Sequence, residues 1–380
     1  MAKVLHLSEF TKGGIETHLN EVLKYQADHH DVYLMAAEQI SNPGTLEIPP
    51  ERLVLYPYRR NPKYILKTMA AINRALRQVK PDIVHVHGTF AGLFLRTLLF
   101  FKRKRPVVVY CAHGWAFLMD TGRWKRSVFA RVEKLLSLKT DVIISISQHE
   151  HQAALDRGIS SRKAVAVYNG VSDARLPSTL SPYEVNDEKI NLLYVGRFDR
   201  QKGFDRLLTL FNEHSFANVV LHLVGDTVLK HQEYAFPDNT VRLGWVDNAE
   251  IDRYMQACDA VIVPSRWEGF GIVAIEALRN GKPVIVSNRG ALPEIVQHGV
   301  NGYVFDFDKL DEWAAIIEGL DKIKLAAMGK AGRKIFEEKF HADRMNRQIE
   351  RIYEQALLHS DGEYQGSVQS LPKLTGVDRR

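Results

Sequence analysis

The stretch Pro264-Ser265-Arg266-Trp267-Glu268-Gly269-Phe270-Gly271-Ile272-Val273-Ala274-Ile275-Glu276-Ala277-Leu278 decides how the chain is read. It follows the apolar run Ala260-Val261-Ile262-Val263, which has the length and composition of a buried strand. It runs into a segment that meets Gly281 and then Pro283, the residues that end helices. A strand, a Gly-Phe-Gly turn and a helix in immediate succession form the unit from which α/β sheets are built. Glu268 therefore falls in the turn and Glu276 in the helix.

Gly269 and Gly271 let the backbone approach a ligand closely, and the first-turn N–H groups of the helix are unpaired donors. Such a helix start is an anion site. A carboxylate beside a bound phosphate would repel it, so Glu268 and Glu276 are read as reaching past it to hydroxyls that donate to them. A diphosphate carrying a polyol at each end fits that layout.

The chain has 380 residues, 45% hydrophobic and 25% charged, which suits two domains with a core each. A net charge of +6 is compatible with phosphorylated ligands, nucleic acid or an anionic membrane, and charge alone does not choose among them. Outside Lys102-Arg103-Lys104-Arg105 the basic residues are dispersed, which argues against nucleic acid. The N-terminus enters a strand directly with no apolar signal core, and no apolar run is long enough to cross a bilayer, so a cytoplasmic location is expected. Cys111 and Cys258 are far apart in apolar surroundings and read as reduced core thiols.

Taken in order, Val4 to Leu7 is a strand, and Gly13-Gly14 opens a helix with Ile15, Leu19, Val22 and Leu23 on one face. That pair is a second phosphate-capable helix start, although a tight turn alone would also account for it. Residues 82–88 form a buried parallel strand. Its His85 and His87 share a face, and with no third ligand nearby a packing role is expected for them rather than a metal.

From Phe90 to Arg105 a strongly apolar helix ends in consecutive cations. It reads evenly as a sheet-covering helix or as a patch contacting an anionic membrane. The strand ending at Cys111 delivers His113-Gly114 to its C-terminal end, where ligands sit in open α/β sheets. His113 is thus a candidate for contact with a sugar. Residues 118–126 lack periodicity and read as a mobile loop before a helix over 127–139, and Ser147 with Glu150 has the pattern of a capping box.

In the second half, a strand at 191–195 leads into Gly196-Arg197-Phe198-Asp199-Arg200-Gln201-Lys202-Gly203. A guanidinium fork and an ammonium in one short loop can hold a diphosphate without a metal and take up leaving-group charge. Turns at Gly225-Asp226 and Gly244-Trp245-Val246 follow further strands. Asp306-Phe307-Asp308 has the form of a metal pair, but Asp308 as the cap of the following helix is the simpler reading. No metal and no cofactor are expected. The organisation expected is residues 1–172 as an acceptor-side domain, a linker at 173–190, a donor-side domain at 191–345, a helix at 346–359 packing back on the first domain, and a polar tail at 360–380.

Together, Gly13-Gly14, residues 82–88, His113-Gly114, Asn169-Gly170-Val171, Gly196-Arg197 with Lys202-Gly203, Gly225-Asp226 and residues 264–278 resemble the retaining glycosyltransferases of family 4. The resemblance spans most of the chain. It implies the GT-B fold, two Rossmann-like domains facing across a cleft, and metal-independent transfer of a hexose or hexosamine from a nucleotide-diphosphate sugar. The acceptor it implies is a polysaccharide or lipid-linked glycan of surface polysaccharide synthesis.

Position by position, the resemblance implies that Arg197 and Lys202 clamp the diphosphate, Glu268 holds the sugar hydroxyls and Glu276 the ribose. Backbone N–H groups of Phe270, Gly271 and Ile272 would meet sugar and phosphate, with Gly13, Gly14, Gly225, Val246 and Gly269 also in the donor site. His113, with Glu268, Arg197 and Lys202, would serve the reaction. Thr227-Val228-Leu229 departs from the family pattern after Gly225-Asp226, so the base is not specified. An epimerase or phosphorylase on the same fold stays open. A non-catalytic dinucleotide module would require a Gly-x-Gly-x-x-Gly fingerprint that the chain lacks.

Overall fold

The computed structural model describes residues 1–58, 61–100, 102, 104–173, 181–227 and 234–358, with the backbone alone at 62 and 63. The expected tail and part of the expected linker, 174–180, lie outside the described residues.

The first half runs β1 (Lys3–Ser8), α1 (Gly14–Ala27), β2 (Asp31–Ala37), β3 (Leu53–Tyr56), α2 (Pro62–Val79), β4 (Ile83–His87), α3 (Thr89–Leu99), β5 (Val107–Cys111), α4 (Arg123–Leu136), β6 (Val142–Ser145), α5 (Gln148–Asp156) and β7 (Ala164–Ala166). The second half runs β8 (Ile190–Val195), α6 (Phe204–Glu213), β9 (Val219–Val224), β10 (Thr240–Gly244), α7 (Ile251–Ala257), β11 (Ala260–Val263), α8 (Ile272–Arg279), β12 (Val284–Ser287), α9 (Leu292–Ile295), β13 (Gly302–Phe305), α10 (Leu310–Glu318), α11 (Lys322–Lys339) and α12 (Ala342–Leu358).

Among the described residues these strands make a seven-stranded sheet ordered β3-β2-β1-β4-β5-β6-β7 and a six-stranded one ordered β10-β9-β8-β11-β12-β13, all pairs parallel. Sheets covered on both faces demand continuously apolar strands, and β5, Val-Val-Val-Tyr-Cys, is buried at every position. The strand order reverses between β1 and β4 in one sheet and between β8 and β11 in the other. Crevices at such reversals, beyond the C-terminal strand ends, are where α/β sheets take ligands. The loops leaving β1, β8 and β11 carry Gly13-Gly14, Arg197 with Lys202, and Glu268 respectively.

The last helix ties the halves together. Met345, Ile349, Ile352 and Tyr353 of α12 are buried in one apolar cluster with Val4 and Ile83 of the first sheet and Phe270 and Ala274 beside α8. Beside this cluster His30 meets Glu350 at 2.8 Å, and the Asn346 amide donates to the Glu21 carbonyl at 3.0 Å.

Several local expectations are corrected. In α3 the side chains of Ala91, Phe94, Leu95 and Leu99 are buried against the sheet, Lys102 donates to Asn73, and Arg105 pairs with Asp141. Each buried Leu or Phe contributes roughly 1.5–3 kcal/mol, so the sheet-covering reading wins over the membrane patch. The irregular stretch expected at 118–126 is shorter: a turn of helix at Ala116–Leu118 and α4 from Arg123 leave only 119–122 without regular structure. Ser147 does cap α5, its Oγ accepting from the Glu150 N–H at 3.1 Å, but the Glu150 carboxylate turns to the Trp115 N–H at 3.2 Å instead of closing a box. Asp308 does not cap α10, which starts from Lys309 without a side-chain cap; it pairs with Arg289 at 2.5 Å.

Candidate functional site

The loop after β8 and the loop after β11 are clamped to each other. Arg266 N–H donates to the Gln201 carbonyl at 2.8 Å, and the Arg266 guanidinium pairs with Asp205 at 2.9 Å. This brings the Lys202 ammonium to 2.6 Å from Glu268 Oε2, which also accepts from Ser265 Oγ at 3.1 Å. Arg197 lies beside them, held by Asp199 at 3.1 Å and Gln201 at 2.9 Å. The cations expected to clamp a diphosphate are therefore each partnered by side chains that an anion would have to displace.

Gly225 seats this loop: a β-carbon there would lie 1.9 Å from the Gly196 carbonyl oxygen, so a bare backbone is required where β8 and β9 end. Val246 is half-buried just beyond β10, with Trp245 beside it exposed.

Gly271 has φ 109° and starts α8 with no side chain capping it, leaving the first-turn N–H groups for a ligand. The start of α1, at Gly13, is likewise uncapped by any side chain. The two helix starts face each other, since a β-carbon on Gly14 would lie 3.3 Å from Ile272 Cγ1. Glu268, which holds Lys202, borders the start of α8, a β-carbon on Gly271 lying 3.7 Å from Glu268 Cγ, so the ammonium is close to a positive dipole end. Phe270 is buried beneath, and Gly269 meets the first domain, a β-carbon there lying 3.4 Å from Gly114 Cα and 3.1 Å from Glu150 Oε1. Glu276 is half-buried one turn into α8, where burial pushes its carboxyl up to about 7, partly countered by Arg279.

His113 sits at the end of β5 with φ 51°, a strained backbone for a residue other than glycine. Its side chain does not stand alone. His113 Nε2 lies 2.8 Å from His87 Nδ1, His87 Nε2 lies 3.0 Å from His6 Nδ1, and His6 Nε2 lies 2.8 Å from Gln26 Oε1. The amide oxygen only accepts, so His6 carries its proton on Nε2, His87 on Nε2 and His113 on Nε2 in turn. His113 Nδ1 is left as a lone pair. His85 joins through Tyr353, whose hydroxyl oxygen lies 2.7 Å from His85 Nδ1, and the His18 ring packs edge-on against His113 at 4.6 Å.

The expectation that His85 and His87 have no third ligand nearby is thus overturned, because β1, α1 and the β5 end bring His6, His18 and His113 to them. Nitrogens of His6, His85 and His87, and of His18, His87 and His113, lie within 4.8 Å of one another. Hydrogen bonds pair His6, His87 and His113, while both ring nitrogens of His18 and Nε2 of His85 have no hydrogen-bond partner among the described residues. Burial holds every ring of the group below the ordinary imidazole range, His6 and His18 to about 4, so all five are neutral near pH 7.

Two further groups escaped sequence reasoning because their roles join the domains. Glu294, from α9, accepts from the N–H groups of Gln148 and His149 at 2.9 and 2.6 Å and so caps α5 from the other half of the molecule. Glu150, inside α5, is raised to about 8 by burial, with one carboxyl oxygen lacking a partner among the described residues. The Ser-x-x-Glu spacing marked Glu150 but pointed to a cap.

Two parallel-sheet domains with strand-order reversals and uncapped helix starts opposed across one cleft are the GT-B architecture of glycosyltransferases. Residues 12–175 match the family described as Glycosyltransferase Family 4, and residues 180–335 match Glycosyl transferases group 1. A protein of the cps region of Klebsiella pneumoniae is 36% identical over 324 residues, covering 83% of this chain and 89% of that one. An Escherichia coli UDP-Gal:alpha-D-GlcNAc-diphosphoundecaprenol alpha-1,3-galactosyltransferase is 22% identical over 308 residues, covering 76% and 79%. The structure of HepE from Anabaena in complex with UDP and glucose superposes with a TM-score of 0.77 at 22% identity, covering 93% of this chain and 100% of that one. The chain belongs to glycosyltransferase family 4.

Proposed function

We propose that the protein transfers a hexosyl or hexosaminyl group from a nucleotide-diphosphate sugar to a glycan or lipid-linked glycan in surface polysaccharide synthesis, with retention and without a metal. The observation that carries this is the Lys202–Glu268 pair at 2.6 Å beside the opposed starts of α1 and α8. In it the diphosphate displaces Glu268 from Lys202 and takes the ammonium, the Arg197 guanidinium and the helix N–H groups. Glu268, released, accepts from the sugar hydroxyls, and Glu276 accepts from the ribose.

Charge developing on the leaving diphosphate then meets donors already in place, the term that dominates many enzymes. The cations do the work that a metal would otherwise do. With a front-side departure, the leaving phosphate oxygen takes the acceptor's proton and the new bond forms on the same face. Hydrolysis by a carboxylate pair is disfavoured because a retaining glycosidase needs both carboxylates on one bond about 5 Å apart, whereas Glu268 lies in a loop and Glu276 in α8.

The Klebsiella and Escherichia coli relatives support the polysaccharide and lipid-linked acceptor class, and the UDP of HepE makes UDP-sugars the first donors to assay. The test is a thermal-shift screen of UDP-, GDP- and ADP-sugars with and without chelator. A donor that binds the folded state raises the apparent stability, by about 2.7 kcal/mol at a hundredfold excess over Kd. A shift from one nucleotide class, unchanged by chelator, is expected. No shift from any class would refute the reading, and a chelator-sensitive shift would refute metal independence.

A further inference from the structure

We propose that α4 is a membrane-docking helix that seats the protein on an anionic lipid surface beside the mouth of the cleft. Its sequence, Arg-Trp-Lys-Arg-Ser-Val-Phe-Ala-Arg-Val-Glu-Lys-Leu-Leu, places Trp124, Val132 and Leu135 at helical spacing, with Leu138 just beyond its end. These side chains are turned outward: Trp124 is 76% exposed, Leu138 63% and Leu135 54%. Large apolar side chains exposed repeatedly along one helix, instead of singly, mark an interaction face.

The charges around the stripe give the partner's sign. Arg123, Lys125, Arg131 and Lys134 are exposed on the same helix. Its one acid, Glu133, is buried, bonded to the Arg96 guanidinium at 2.8 Å and to the Tyr110 hydroxyl at 3.1 Å. The outward face therefore carries cations and no carboxylate. On its flank a cavity of about 340 Å³ is lined by Ser127, Ala130, Arg131, Lys134, Asp156 and Arg157, three cations against the single Asp156 carboxylate and room for a phosphate headgroup. Aromatic and aliphatic side chains that enter the interface, ringed by Lys and Arg, are the pattern of a helix lying in a membrane surface. A second copy of this chain would instead have to answer a uniformly cationic rim.

The placement has a consequence for the acceptor. Asp120, just before α4, pairs with Arg200 of the loop that carries Arg197 and Lys202, at 2.8 Å. Docking through α4 thus holds the cleft entrance at the bilayer, where the sugar of a lipid-linked acceptor is presented; this clause rests on the acceptor class proposed above. The cationic run after α3 cannot serve in the same way, because the apolar side chains of that helix are committed to the core.

The test is co-sedimentation of the full chain with vesicles of phosphatidylcholine alone and of phosphatidylcholine with phosphatidylglycerol, alongside UDP binding in solution. Binding to the anionic vesicles that weakens with salt is expected. Arg131→Gln with Lys134→Gln should lower it on the order of thirtyfold, each cation near an anionic surface being worth roughly a factor of five. Trp124→Ser with Leu135→Ser and Leu138→Ser should lower it about tenfold or more. All five side chains are exposed, so melting temperatures should stay with the native chain.

No binding to either vesicle, or variants that bind as the native chain does, would overturn the proposal, as would a dimer in ultracentrifugation that the serine variant dissolves. Vesicle binding lost with UDP binding intact refutes the docking alone. UDP binding absent with vesicle binding intact refutes the proposed function alone.

Discussion

Replacing Lys202 by Met separates its two duties. In the resting site its ammonium holds Glu268 at 2.6 Å, the two side chains being 24% and 12% exposed. Exposed pairs are worth about 0–1 kcal/mol and breaking a fully buried one costs about 3–5 kcal/mol. Glu268 keeps the Ser265 hydroxyl, so a loss of stability of roughly 1–2 kcal/mol is expected.

Catalysis should suffer far more. Removing one donor aimed at developing charge costs roughly 2.7–4 kcal/mol, a factor of about 10²–10³ in kcat. Lys202→Met also leaves the Glu268 carboxylate facing the diphosphate, so UDP itself should bind more weakly. Glu268→Gln should do the opposite to UDP, leaving or improving its affinity, while lowering turnover of the UDP-sugar because the sugar hydroxyls lose their acceptor. Calorimetry with UDP and steady-state UDP release with the donor read both. Equal loss of UDP affinity in the two variants, or kcat/KM within fivefold of the native chain in Lys202→Met, would refute this division of labour.

Glu276 predicts a pH dependence. Burial pushes its carboxyl up to about 7 in the free protein, and in the proposed function ribose hydroxyls donate to the ionised form. Donor affinity should therefore fall as pH drops below about 7, with proton release on binding between the bound-state pKa and about 7, measurable by calorimetry in buffers of different ionisation enthalpy; Glu276→Gln should flatten the profile. Ionising this group in the folded chain is unfavourable, so Glu276→Gln should also raise stability at pH 8, by roughly 1–2 kcal/mol. The buried histidines act in the other direction. Their folded pKa values are depressed while the unfolded chain protonates near 6.5, so stability is present above about 6.5 and lost as pH falls towards 4, at up to about 1.4 kcal/mol per pH unit for each ring. Urea midpoints at pH 7, 6 and 5 should decline steeply, and a flat profile would contradict neutral burial. Glu294→Ala removes the cap that the second domain places on α5 and should cost about 1 kcal/mol in chemical denaturation.

Much of the fold was legible because parallel strands are written as apolar runs closed by glycine or histidine, as in Val107–Cys111, and helices such as Ile272–Arg279 carry their own stop in Gly281. Legibility failed where a residue's meaning depends on what crosses to it. Phe94 and Leu95 look alike whether they face lipid or a sheet, and only the packing of α3 decides. The first turn of α4, at 123–126, reads as loop because its apolar residue, Trp124, points outward against the rule that apolar residues point inward. His6, His18, His87 and His113 are scattered over the first domain, and no spacing rule joins histidines that meet only because β1, β4 and β5 lie side by side in the sheet. For the same reason the sequence marked Lys202 and Glu268 as functional without revealing that they hold each other.

The central claim is that the opposed starts of α1 and α8, with Lys202 and Arg197, receive the diphosphate of a sugar nucleotide. The most direct measurement is the crystal structure of the chain with an intact UDP-sugar bound, collected from protein treated with chelator. The account predicts the diphosphate bonded to the backbone N–H groups that start α1 and α8, Lys202 released from Glu268 and bonded to phosphate oxygens, and Glu268 on the sugar hydroxyls. A donor bound with Lys202 still paired to Glu268, or held elsewhere in the molecule, would contradict it.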